Sequence, residues 1–562
     1  MISYWKRINH EYIIILPPKK LSMKLIFVTW WVISGLGKWI TAASIGRLLK
    51  SAGYKVTMGK MDPYLQIDAG TMSPYEHGET FVTNDWFETD LDLWHYERFI
   101  DEELTRYSST TTGQIYLSVM KKERRWDYLG KTVQVIPHIT NEVKRRIEKI
   151  ANWSDAAIIE IGGTVWDIEW PHFIETMRQL RYELGKENVL FVHVAPIVTV
   201  TTSGEMKTKA IQHSIIKLRE LGIQADVLVC RTNRPLEEWL KKKLSMFCDM
   251  DENCIIENLD QNIYELPISF QNQWLDGLII KKLFNDDKRS DLTEWKNLLY
   301  KLQNPQNEVT IWLAWKYTHL DDSYISVVEA LKHAWAYYDT KINLERIDTE
   351  NFEWEWWEDD LRNLCNQRNI VWIVVPGGFG DRWVEWMINL ANFCREKNIP
   401  YLWLCLWLQV ATIAFARSAC QLPKANSWEF TTDNEFNVVD IMESQKQITN
   451  KWWTMRLGSY DAVLLPDTKV WHLYKDFNQI DLEHNLVKER HRHRFEVNPK
   501  FHEILLENWL VFSWKSPDWS LVEFIELPEH KYFVATQAHP EFKSRLNRPH
   551  PLFLGFVKAC IN

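Results

Sequence analysis

A glycine-rich segment with a lysine stands where a phosphate-binding loop would begin. Gly35-Leu36-Gly37-Lys38 follows the apolar run 25–29 and precedes the stretch 40–50, whose apolar residues recur with helical periodicity. Backbone N–H groups at the start of a helix, together with a lysine, suit a polyphosphate. Trp39 occupies the position that is Ser or Thr in the GxxxxGK[ST] motif. The motif alone leaves both a phosphate site and an ordinary strand–helix turn open.

A cysteine and a histidine lie where a thiol nucleophile and its base could be found. Cys405 separates the apolar run 401–404 from the helical stretch 409–417, which is the position of a nucleophile at a strand-to-helix elbow. His539 and Glu541, in His-Pro-Glu, offer a base and a group that orients the base. Taken by itself, Cys405 also fits a buried core cysteine.

Acidic and basic residues elsewhere suit phosphoryl transfer. Asp92 and Glu160 lie near the predicted ends of strands, where open α/β sheets bind ligands. Carboxylates hold the Mg²⁺ that neutralises phosphate charge in such reactions. Lys207 and Lys209, two residues apart in a loop, could direct both ammonium groups at one triphosphate. Without further information, isolated carboxylates and lysines are more commonly solvated surface groups.

The elements that must position these residues form two α/β series. In the first series, charged helical stretches such as 140–150 alternate with apolar runs at 25–29, 156–161, 189–194 and 225–229. This alternation predicts a buried, mostly parallel sheet. A polar stretch around 282–308 frames a helix that contains Trp295. A second α/β series follows it, with strands predicted at 309–314, 371–375 and 401–406.

These patterns predict an α/β protein with two domains, each a mostly parallel sheet flanked by helices. We expect the first domain at 23–285, a linker at 286–308 and the second domain at 309–562. Residues 1–22 match none of the motifs, and Met23 opens an apolar β run. We therefore expect residues 1–22 to be a non-native extension and Met23 to be the true start.

Composition describes an ordinary globular protein and excludes several other classes. The 562 residues carry a net charge of −9, with 25% charged and 46% hydrophobic residues. That balance argues against a collagen, a disordered chain and a protein held mainly by nucleic-acid phosphates. The eight cysteines contain no CxxC pair, which excludes a disulfide scaffold and a zinc site of that type. No stretch reaches the length of a secretory signal or a membrane span, so the cytoplasm is the expected location.

Two residue counts are abnormal. The chain has 31 tryptophans and 20 glycines among 562 residues, whereas glycine alone usually makes up about 7% of a protein. Pooling the two types gives an ordinary glycine share plus a few tryptophans.

Six motifs closely resemble the synthetase domain of the CTP synthase family. They are Lys60–Tyr64, Asp68–Pro74, Glu88–Phe99, Gln134–Thr140, Glu160–Glu169 and Ser203–Lys209. The resemblance is dense from about Met23 to Ala559. It implies a P-loop-like amidoligase domain and a class I glutaminase domain. The implied enzyme is a ligase: ATP phosphorylates the uracil 4-oxygen of UTP, and ammonia from L-glutamine displaces the phosphate to give CTP.

The same resemblance implies roles for individual residues of the first domain. Asp92 and Glu160 match the Mg²⁺ ligands of the family. The ATP-binding positions are Ser34, Gly35, Leu36, Gly37, Lys38, Trp39, Lys60 and Asp92. The UTP- and CTP-binding positions are Ser34, Lys207, Thr208, Lys209, Gln212 and Lys243.

In the second domain, the resemblance implies a Cys405–His539–Glu541 catalytic triad. Gly378 matches the family's oxyanion-hole loop, and Gln409, Glu429 and Arg494 match the positions that hold the glutamine substrate. The family further implies an internal ammonia channel, activation by GTP, feedback inhibition by CTP and a homotetramer.

Tryptophan stands at many positions where the family has glycine. In the phosphate loop and at the elbow these are Trp30, Trp31, Trp39, Trp403 and Trp407. The same replacement recurs at Trp86, Trp94, Trp126, Trp166, Trp274, Trp312, Trp315, Trp383, Trp386, Trp452 and Trp453. Independent mutations would not repeatedly exchange glycine for tryptophan while leaving the neighbouring motif residues unchanged. We therefore hypothesise that UGA encodes glycine in the source and is written here as tryptophan, and that Trp295, where the family often has tryptophan, is UGG.

Two other interpretations stay open at this point. If the tryptophans are real, indoles would fill the phosphate loop and the elbow, and the chain would be a catalytically impaired family member with an assembly or nucleotide-binding role. A ParA-like P-loop ATPase fused to a glutaminase would explain the first motif, but it would not explain the lysine loop at Lys207 and Lys209.

Overall fold

The chain forms two compact units. The computed structural model describes residues 4–8, 11–15, 23–31, 37–73, 78–163, 167–200, 202, 204–315, 324–348, 373–375, 377, 384–431, 435–441, 455–518 and 520–561. The first unit comprises Met1–Asp68 and His95–Thr293, and the second comprises Ala69–Trp94 and Glu294–Asn562. The second unit therefore includes a segment, 69–94, that precedes most of the first unit in sequence.

The described strands are numbered in chain order. They are β1 Tyr4–Ile8, β2 Glu11–Ile15, β3 Lys24–Trp30, β4 Val56–Asp62, β5 Thr80–Val82, β6 Glu88–Asp90, β7 Ser109–Thr111, β8 Ala156–Ile161, β9 Val189–Pro196, β10 Val198–Thr199, β11 Met206–Lys207, β12 Val227–Thr232, β13 Ile255–Leu259, β14 Asn307–Trp315, β15 Thr340–Asp348, β16 Ile373–Val375, β17 Tyr401–Leu404, β18 Asn426–Ser427, β19 Asn437–Ile441, β20 Arg456–Leu464, β21 Leu486–His493, β22 Phe495–Val497, β23 Val511–Lys515, β24 Val522–Glu526 and β25 Phe533–Thr536.

The described α-helices are numbered in the same way. They are α1 Lys38–Ser51, α2 Asp92–Ile100, α3 Thr112–Arg124, α4 Thr140–Ala151, α5 Pro171–Leu184, α6 Lys209–Glu220, α7 Glu238–Cys248, α8 Leu266–Asn272, α9 Leu275–Phe284, α10 Thr293–Gln303, α11 Ile325–Tyr338, α12 Val384–Lys397, α13 Leu406–Ser418, α14 Lys469–Asp476, α15 His502–Glu507 and α16 Pro551–Ile561. None of them combines the length and the apolar character that crossing a membrane would require.

A seven-stranded sheet organises the first unit. Its order is β13-β12-β9-β3-β8-β4-β7, and every pairing is parallel. The central strands are buried almost throughout, because helices cover both faces of a parallel sheet. All strands point their carboxyl ends to one edge, so that the residues following β3, β4 and β8 lie near each other.

A nine-stranded sheet organises the second unit. Its order is β15-β14-β16-β17-β25-β24-β23-β20-β21. The strands from β15 to β25 pair in parallel. The strands from β25 to β21 pair antiparallel. The parallel part carries the elbow residue Cys405 after β17, and the antiparallel part ends in β21, which carries Arg490 and Arg492.

The α/β fold class predicted from the sequence is confirmed, with shifts at some element ends. The strand predicted at 401–406 ends at Leu404, because Leu406 already begins α13. The apolar pattern continues across this turn and hides it from a periodicity argument. Residues 371–372 of another predicted strand lie outside the described residues. The helix expected around Trp295 is α10, in which Trp295 is buried.

The start of α1 depends on a glycine. Gly37 precedes the helix with φ 73°, a left-handed conformation that side chains disfavour. A Cβ atom at Gly37 would also lie 2.9 Å from Ile40 Cγ2. Glycine at this position therefore allows Lys38 to begin the helix immediately after the loop.

Candidate active sites

Cys405 stands at a sharp turn between a strand and a helix. Its backbone has φ 58° and ψ −113°, and its N–H donates to the Thr536 carbonyl oxygen at 2.7 Å. A non-glycine residue with such angles is strained, and strained turns of this kind present a nucleophile at the end of a sheet. The backbone around Cys405 is therefore that of a nucleophile elbow.

His539 neighbours both other residues of the predicted triad. Its Nδ1 lies 2.6 Å from Glu541 Oε1, and its ring packs with Cys405 against the Gly377 backbone. All three residues are buried. Burial alone would lower the pKa of His539, but the nearby sulfur of Cys405 and the hydrogen-bonded carboxylate of Glu541 raise this pKa well above its usual value. The arrangement can hold an imidazolium beside a cysteine sulfur, as thiol catalysis requires.

Backbone groups of two other segments hold the triad. The Arg490 carbonyl oxygen accepts from His539 N–H at 2.8 Å, and Cys405 Sγ donates to the Arg492 carbonyl oxygen at 3.6 Å. A Cβ atom at Gly377 would lie 3.1 Å from His539 Cε1 and 3.6 Å from Cys405 Cβ. The Gly377 backbone therefore packs directly on the triad. Gly378, the predicted oxyanion-hole residue, lies outside the described residues.

The three predicted glutamine-binding residues differ in exposure. Gln409 is buried on α13 one turn after Cys405, and its Nε2 donates to the Phe495 carbonyl oxygen at 3.1 Å and to Gln537 Oε1 at 3.3 Å. Among the described residues, Gln409 Oε1 has no hydrogen-bond donor. Glu429 and Arg494 are partly exposed. This group thus combines one buried amide with two charged side chains that solvent reaches.

Two indoles flank the elbow and lie in the core. The Trp403 and Trp407 rings are fully buried in edge-to-face contact, with centroids 6.0 Å apart. Trp403 Nε1 finds no acceptor within the part of the chain that the structure describes. A buried unsatisfied donor costs about 1–3 kcal/mol. The indoles therefore carry an energetic cost, while Cys405, His539 and Glu541 stay together beside them.

In the first unit, Lys38 and Glu160 meet at the carboxyl edge of the sheet. Lys38 Nζ lies 3.3 Å from Glu160 Oε1 and 5.0 Å from the centre of the Trp30 ring. The hydroxyl of Tyr96 donates to Glu160 Oε2. Glu160 is fully buried, and Lys60 is its partner across the β4–β8 pairing. Two of the predicted phosphate lysines thus lie beside one of the predicted metal ligands.

Lys60 has a second carboxylate neighbour. Its Nζ lies 3.1 Å from Asp62 Oδ1, and both side chains are buried at the end of β4. A Cβ atom at Gly162 would lie 2.5 Å from the same Asp62 oxygen, so that a larger residue after β8 would displace this carboxylate. Lys60 and Asp62 therefore add a buried cation and anion to the edge where Glu160 lies.

The structure describes only some of the other residues predicted to bind ATP. Trp39 lies in the first turn of α1 and stacks on His95, with ring centroids 3.9 Å apart. Ser34, Gly35 and Leu36 lie outside the described residues. Asp92 begins α2, is partly exposed and falls in the second unit, whereas Glu160 belongs to the first.

The predicted uridine-nucleotide residues cluster around the start of α6. Lys207 Nζ lies 2.6 Å from Glu205, and the Lys207 hydrogen bond followed by the charge of Lys243 lowers the pKa of Glu205. Gln212 is buried and donates through Nε2 to Thr208 Oγ1 at 3.1 Å. Lys209 begins α6 and is exposed. Three lysines therefore lie close to one helix start, where a polyphosphate would be attracted.

Sequence reasoning did not single out Tyr96. The residue is fully buried and its hydroxyl donates to Glu160. A signal was available, because Tyr96 lies four residues after Asp92 on the same helix and therefore on the same face as a predicted metal ligand. Asp62 was missed in the same way, although it lies two residues after Lys60 on one strand.

Comparison with known proteins first identifies the class. Residues 319–559 match the family model described as glutamine amidotransferase class-I, and residues 24–284 match the model described as CTP synthase N-terminus. The molecule is thus a synthetase joined to a glutamine amidotransferase.

Full-length relatives identify the family. The chain is 52% identical over 540 residues to the CTP synthases of Methanocaldococcus jannaschii and Methanococcus maripaludis, covering 96% of this chain and 98% and 100% of theirs. It is 51% identical over 541 residues to that of Carboxydothermus hydrogenoformans, covering 96% of this chain and 98% of the relative. The chain belongs to the CTP synthase family. It is a ligase that makes CTP from UTP with glutamine, and the impaired-member alternative is not favoured.

Proposed function

We propose that Cys405 is the nucleophile that attacks the glutamine amide, with His539 transferring the proton and Glu541 orienting His539. The observation that carries the proposal is that Cys405 at the elbow lies beside His539, whose Nδ1 is hydrogen-bonded to Glu541. The resemblance assigns the oxyanion-hole N–H to Gly378 and glutamine binding to Gln409, Glu429 and Arg494. The buried Gln409 amide, one helical turn after Cys405, supports that assignment.

Replacing the nucleophile tests this proposal. Cys405→Ala should abolish CTP formation from glutamine and leave CTP formation from added ammonia, because ammonia bypasses the glutaminase step. Both rates are measured from UTP and ATP with the same purified enzyme. A variant that loses both activities, with an unchanged melting temperature, contradicts the role of Cys405.

We further propose that Lys38 and Lys60 face the ATP phosphates, together with the loop Ser34–Trp39, and that Lys207, Thr208, Lys209, Gln212 and Lys243 bind UTP and the product CTP. The position of Lys38 and Lys60 at the carboxyl edge of a parallel sheet supports the first assignment. Lys207 and Lys243 both act on one carboxylate, Glu205, which supports the assignment of these lysines to UTP and CTP. The triphosphate would take the place of that carboxylate as their anionic partner.

Asp92 and Glu160 would hold Mg²⁺. The donor set fits, since Mg²⁺ prefers carboxylate oxygens and usually takes one or two of them besides substrate phosphates. Glu160 is a fully buried carboxylate with Lys38 and Tyr96 as neighbours. It therefore lies beside the lysine that is proposed to face the ATP phosphates. When bound, Mg²⁺ would neutralise charge on the ATP phosphates.

The remaining properties follow from family membership. We propose GTP as an activator, CTP as a feedback inhibitor, an internal ammonia channel, a homotetramer and a cytoplasmic location, with no nucleic-acid or membrane partner. We also retain the domain limits 23–285 and 309–562 and the linker between them. Sedimentation with and without UTP and ATP would test the tetramer, and rate measurements with GTP and CTP would test regulation.

We also propose that the enzyme made in the source cell carries glycine at most of the abnormal tryptophan positions. Five tryptophans have φ between 63° and 71°: Trp86, Trp126, Trp153, Trp274 and Trp509. All five are exposed, with relative accessibilities from 59% to 90%. The left-handed conformation is the usual place of glycine and is unfavourable for a bulky side chain.

Four of these five tryptophans share one place in the fold. Each is the second residue after the last residue of a helix: Trp126 after α3, Trp153 after α4, Trp274 after α8 and Trp509 after α15. The chain has glycine with positive φ at the same place after α1 and α6, at Gly53 and Gly222. Glycine is the residue that ends helices in this way.

Peptide mass spectrometry of the native protein tests the glycine proposal. Peptides spanning Trp126, Trp153, Trp403 and Trp407 should each be lighter by the difference between tryptophan and glycine. The peptide containing the buried Trp295 should keep the tryptophan mass and serves as the internal control. UGG codons at Trp30, Trp31, Trp403 and Trp407 contradict the proposal.

A further inference from the structure

A short hairpin of the second unit lies against the strand that supports the triad. β5 and β6 pair antiparallel, with Thr80 opposite Asp90 and Val82 opposite Glu88. The hairpin lies within the part of the chain that matches the CTP synthase N-terminal model. In the structure it belongs to the second compact unit, the one that holds Cys405. Asp92, a predicted ATP and metal position, lies two residues after the end of the hairpin.

Two side chains of β21 bind this hairpin. Arg490 Nε donates to Asn84 Oδ1 at 2.5 Å, and Arg492 Nε donates to Glu88 Oε1 at 2.8 Å. Arg490 and Glu88 are buried, so that neither contact is a solvated surface pair. The two arginines alternate along one strand and therefore extend from the same face.

The backbone of the same two arginines holds the triad. The carbonyl oxygen of Arg490 accepts from His539 N–H, and that of Arg492 accepts from Cys405 Sγ. Arg490 thus links Asn84 to His539, and Arg492 links Glu88 to Cys405. A displacement of either arginine side chain would be passed to a carbonyl oxygen that contacts a triad residue.

The two histidines that alternate with these arginines anchor β21 from its other face. His491 and His493 are buried, and their Nδ1 and Nε2 atoms lie 3.0 Å apart. Glu523 Oε2 lies 3.6 Å from His491 Nδ1, and Glu523 Oε1 pairs with Arg456 at 2.7 Å. The strand is therefore fixed on its core face, and the hairpin completes its restraint on the opposite face.

An aromatic contact connects the hairpin to the histidine side of the triad. The Phe81 ring meets the Phe542 ring edge to face at 5.2 Å, and Phe542 stacks on His539 at 5.0 Å. Glu79, which precedes the hairpin, accepts from Ser326 Oγ at 2.7 Å. Burial, followed by the nearby charge of Glu541, raises the pKa of Glu79 to about 8. Residues of the hairpin region thus contact the neighbours of His539 as well as those of Cys405.

We propose that the hairpin Thr80–Asp90 positions the glutaminase triad, with Glu88 acting on Cys405 through Arg492 and Asn84 acting on His539 through Arg490. Glu88 and Asn84 are positioning residues, because they contact side chains whose backbone holds the reacting groups. The inference rests on the nucleophile role proposed for Cys405. It implies that glutamine hydrolysis responds to the conformation of the segment that leads into Asp92.

Glu88→Gln in the full-length enzyme tests the inference. It should lower kcat for glutamine hydrolysis by about tenfold to a hundredfold with little change in KM, since a displacement of about 1 Å at a reacting group has effects of this size. CTP formation from ammonia should persist, and Glu88→Asp should recover part of the lost rate. In a double-mutant cycle, Glu88→Gln combined with Arg492→Gln should be no slower than the more affected single variant.

Asp461→Asn provides the matched control. Asp461 of β20 forms an exposed ion pair at 3.4 Å with Lys488 of β21, and neither side chain contacts a residue of the triad or the hairpin in the described contacts. The inference is overturned if Glu88→Gln hydrolyses glutamine as fast as Asp461→Asn. It is also overturned if hydrolysis and ammonia-dependent synthesis fall together with the melting temperature. Retained hydrolysis in Cys405→Ala would instead refute the nucleophile role.

Discussion

The two regions of the molecule that are proposed to be catalytic accommodate their indoles differently. At the elbow, Trp403 and Trp407 lie in the core, and His539 keeps its hydrogen bond to Glu541 beside Cys405. At the carboxyl edge of the first sheet, Lys38 approaches Glu160 and lies over the ring of Trp30. The residues proposed for glutamine hydrolysis thus keep their arrangement, whereas Lys38, proposed to face the ATP phosphates, is engaged by protein groups.

The difference follows from how each site is built. A nucleophile elbow is set by the backbone between one strand and one helix, so that neighbouring side chains can point into the core. A phosphate site instead needs bare backbone N–H groups close to the ligand. Tryptophan at the elbow therefore costs stability, and tryptophan at the phosphate loop costs binding.

The largest expected effect separates the two regions. Lys38→Ala should lower CTP formation from both glutamine and ammonia by about 10³-fold or more, because a cation that stabilises phosphoryl transfer is removed. Glutamine hydrolysis should continue, which is the opposite of the Cys405→Ala result. The control is Lys50→Ala, on the same helix and paired with Glu102 instead of with Glu160. Unimpaired ammonia-dependent synthesis in Lys38→Ala would refute the phosphate role.

Restoring glycine should help the two regions unequally. In the chain with all tryptophans, Trp30→Gly, Trp31→Gly and Trp39→Gly together should tighten ATP binding by about a hundredfold, as removal of crowding side chains permits. Trp403→Gly with Trp407→Gly should raise glutamine hydrolysis by about tenfold only, because the triad is already assembled. Titration of ATP and a hydrolysis assay measure the two effects. An equal or larger gain at the elbow would contradict the comparison.

A smaller effect concerns the pH dependence of the elbow. Glu541 is one of the groups that raise the pKa of His539 above its usual value, so Glu541→Gln should lower that pKa. The protonated imidazole would then be lost at lower pH, and the basic limb of kcat/KM for glutamine hydrolysis should move to lower pH. We expect the maximal rate to fall about tenfold. A basic limb that stays in place, or moves to higher pH, would show that Glu541 does not set this pKa.

Much of the architecture was predictable from short-range patterns. The apolar run at 156–161 is β8 with the same bounds, and the helical stretch at 140–150 is α4 with one residue added at its end. Such elements are signalled by their own sequence, because a buried parallel strand is apolar throughout and a surface helix alternates with a fixed period. Cys405 was also predictable as a turn residue, since a strand and a helix adjoin it.

Contacts between distant segments were not predictable in this way. Glu88 and Arg492 are 404 residues apart, and no periodicity connects them. The placement of 69–94 in the second unit has the same origin, because it depends on tertiary packing of side chains such as Phe81 and Asn84. The left-handed conformation of Trp153 and Trp509 was hidden as well, since tryptophan gives no sign of a glycine turn.

The smallest effect tests whether the tryptophans at helix ends belong there. Trp126 follows α3 with φ 64° and is 72% exposed, so it gains little from burial and adopts an unfavourable backbone conformation. Trp126→Gly should raise the free energy of unfolding by about 1 kcal/mol, the usual cost of a side chain in the left-handed region. Trp239 is the matched control, because it is 51% exposed but lies in the first turn of helix α7, in a helical conformation. Trp239→Gly should lower the free energy of unfolding by roughly 0.5–1 kcal/mol, since glycine weakens helices. Denaturant titration of both variants measures whether the free energy of unfolding rises or falls. A loss of stability in Trp126→Gly would mean that the contacts of the indole stabilise the fold by more than its backbone conformation costs.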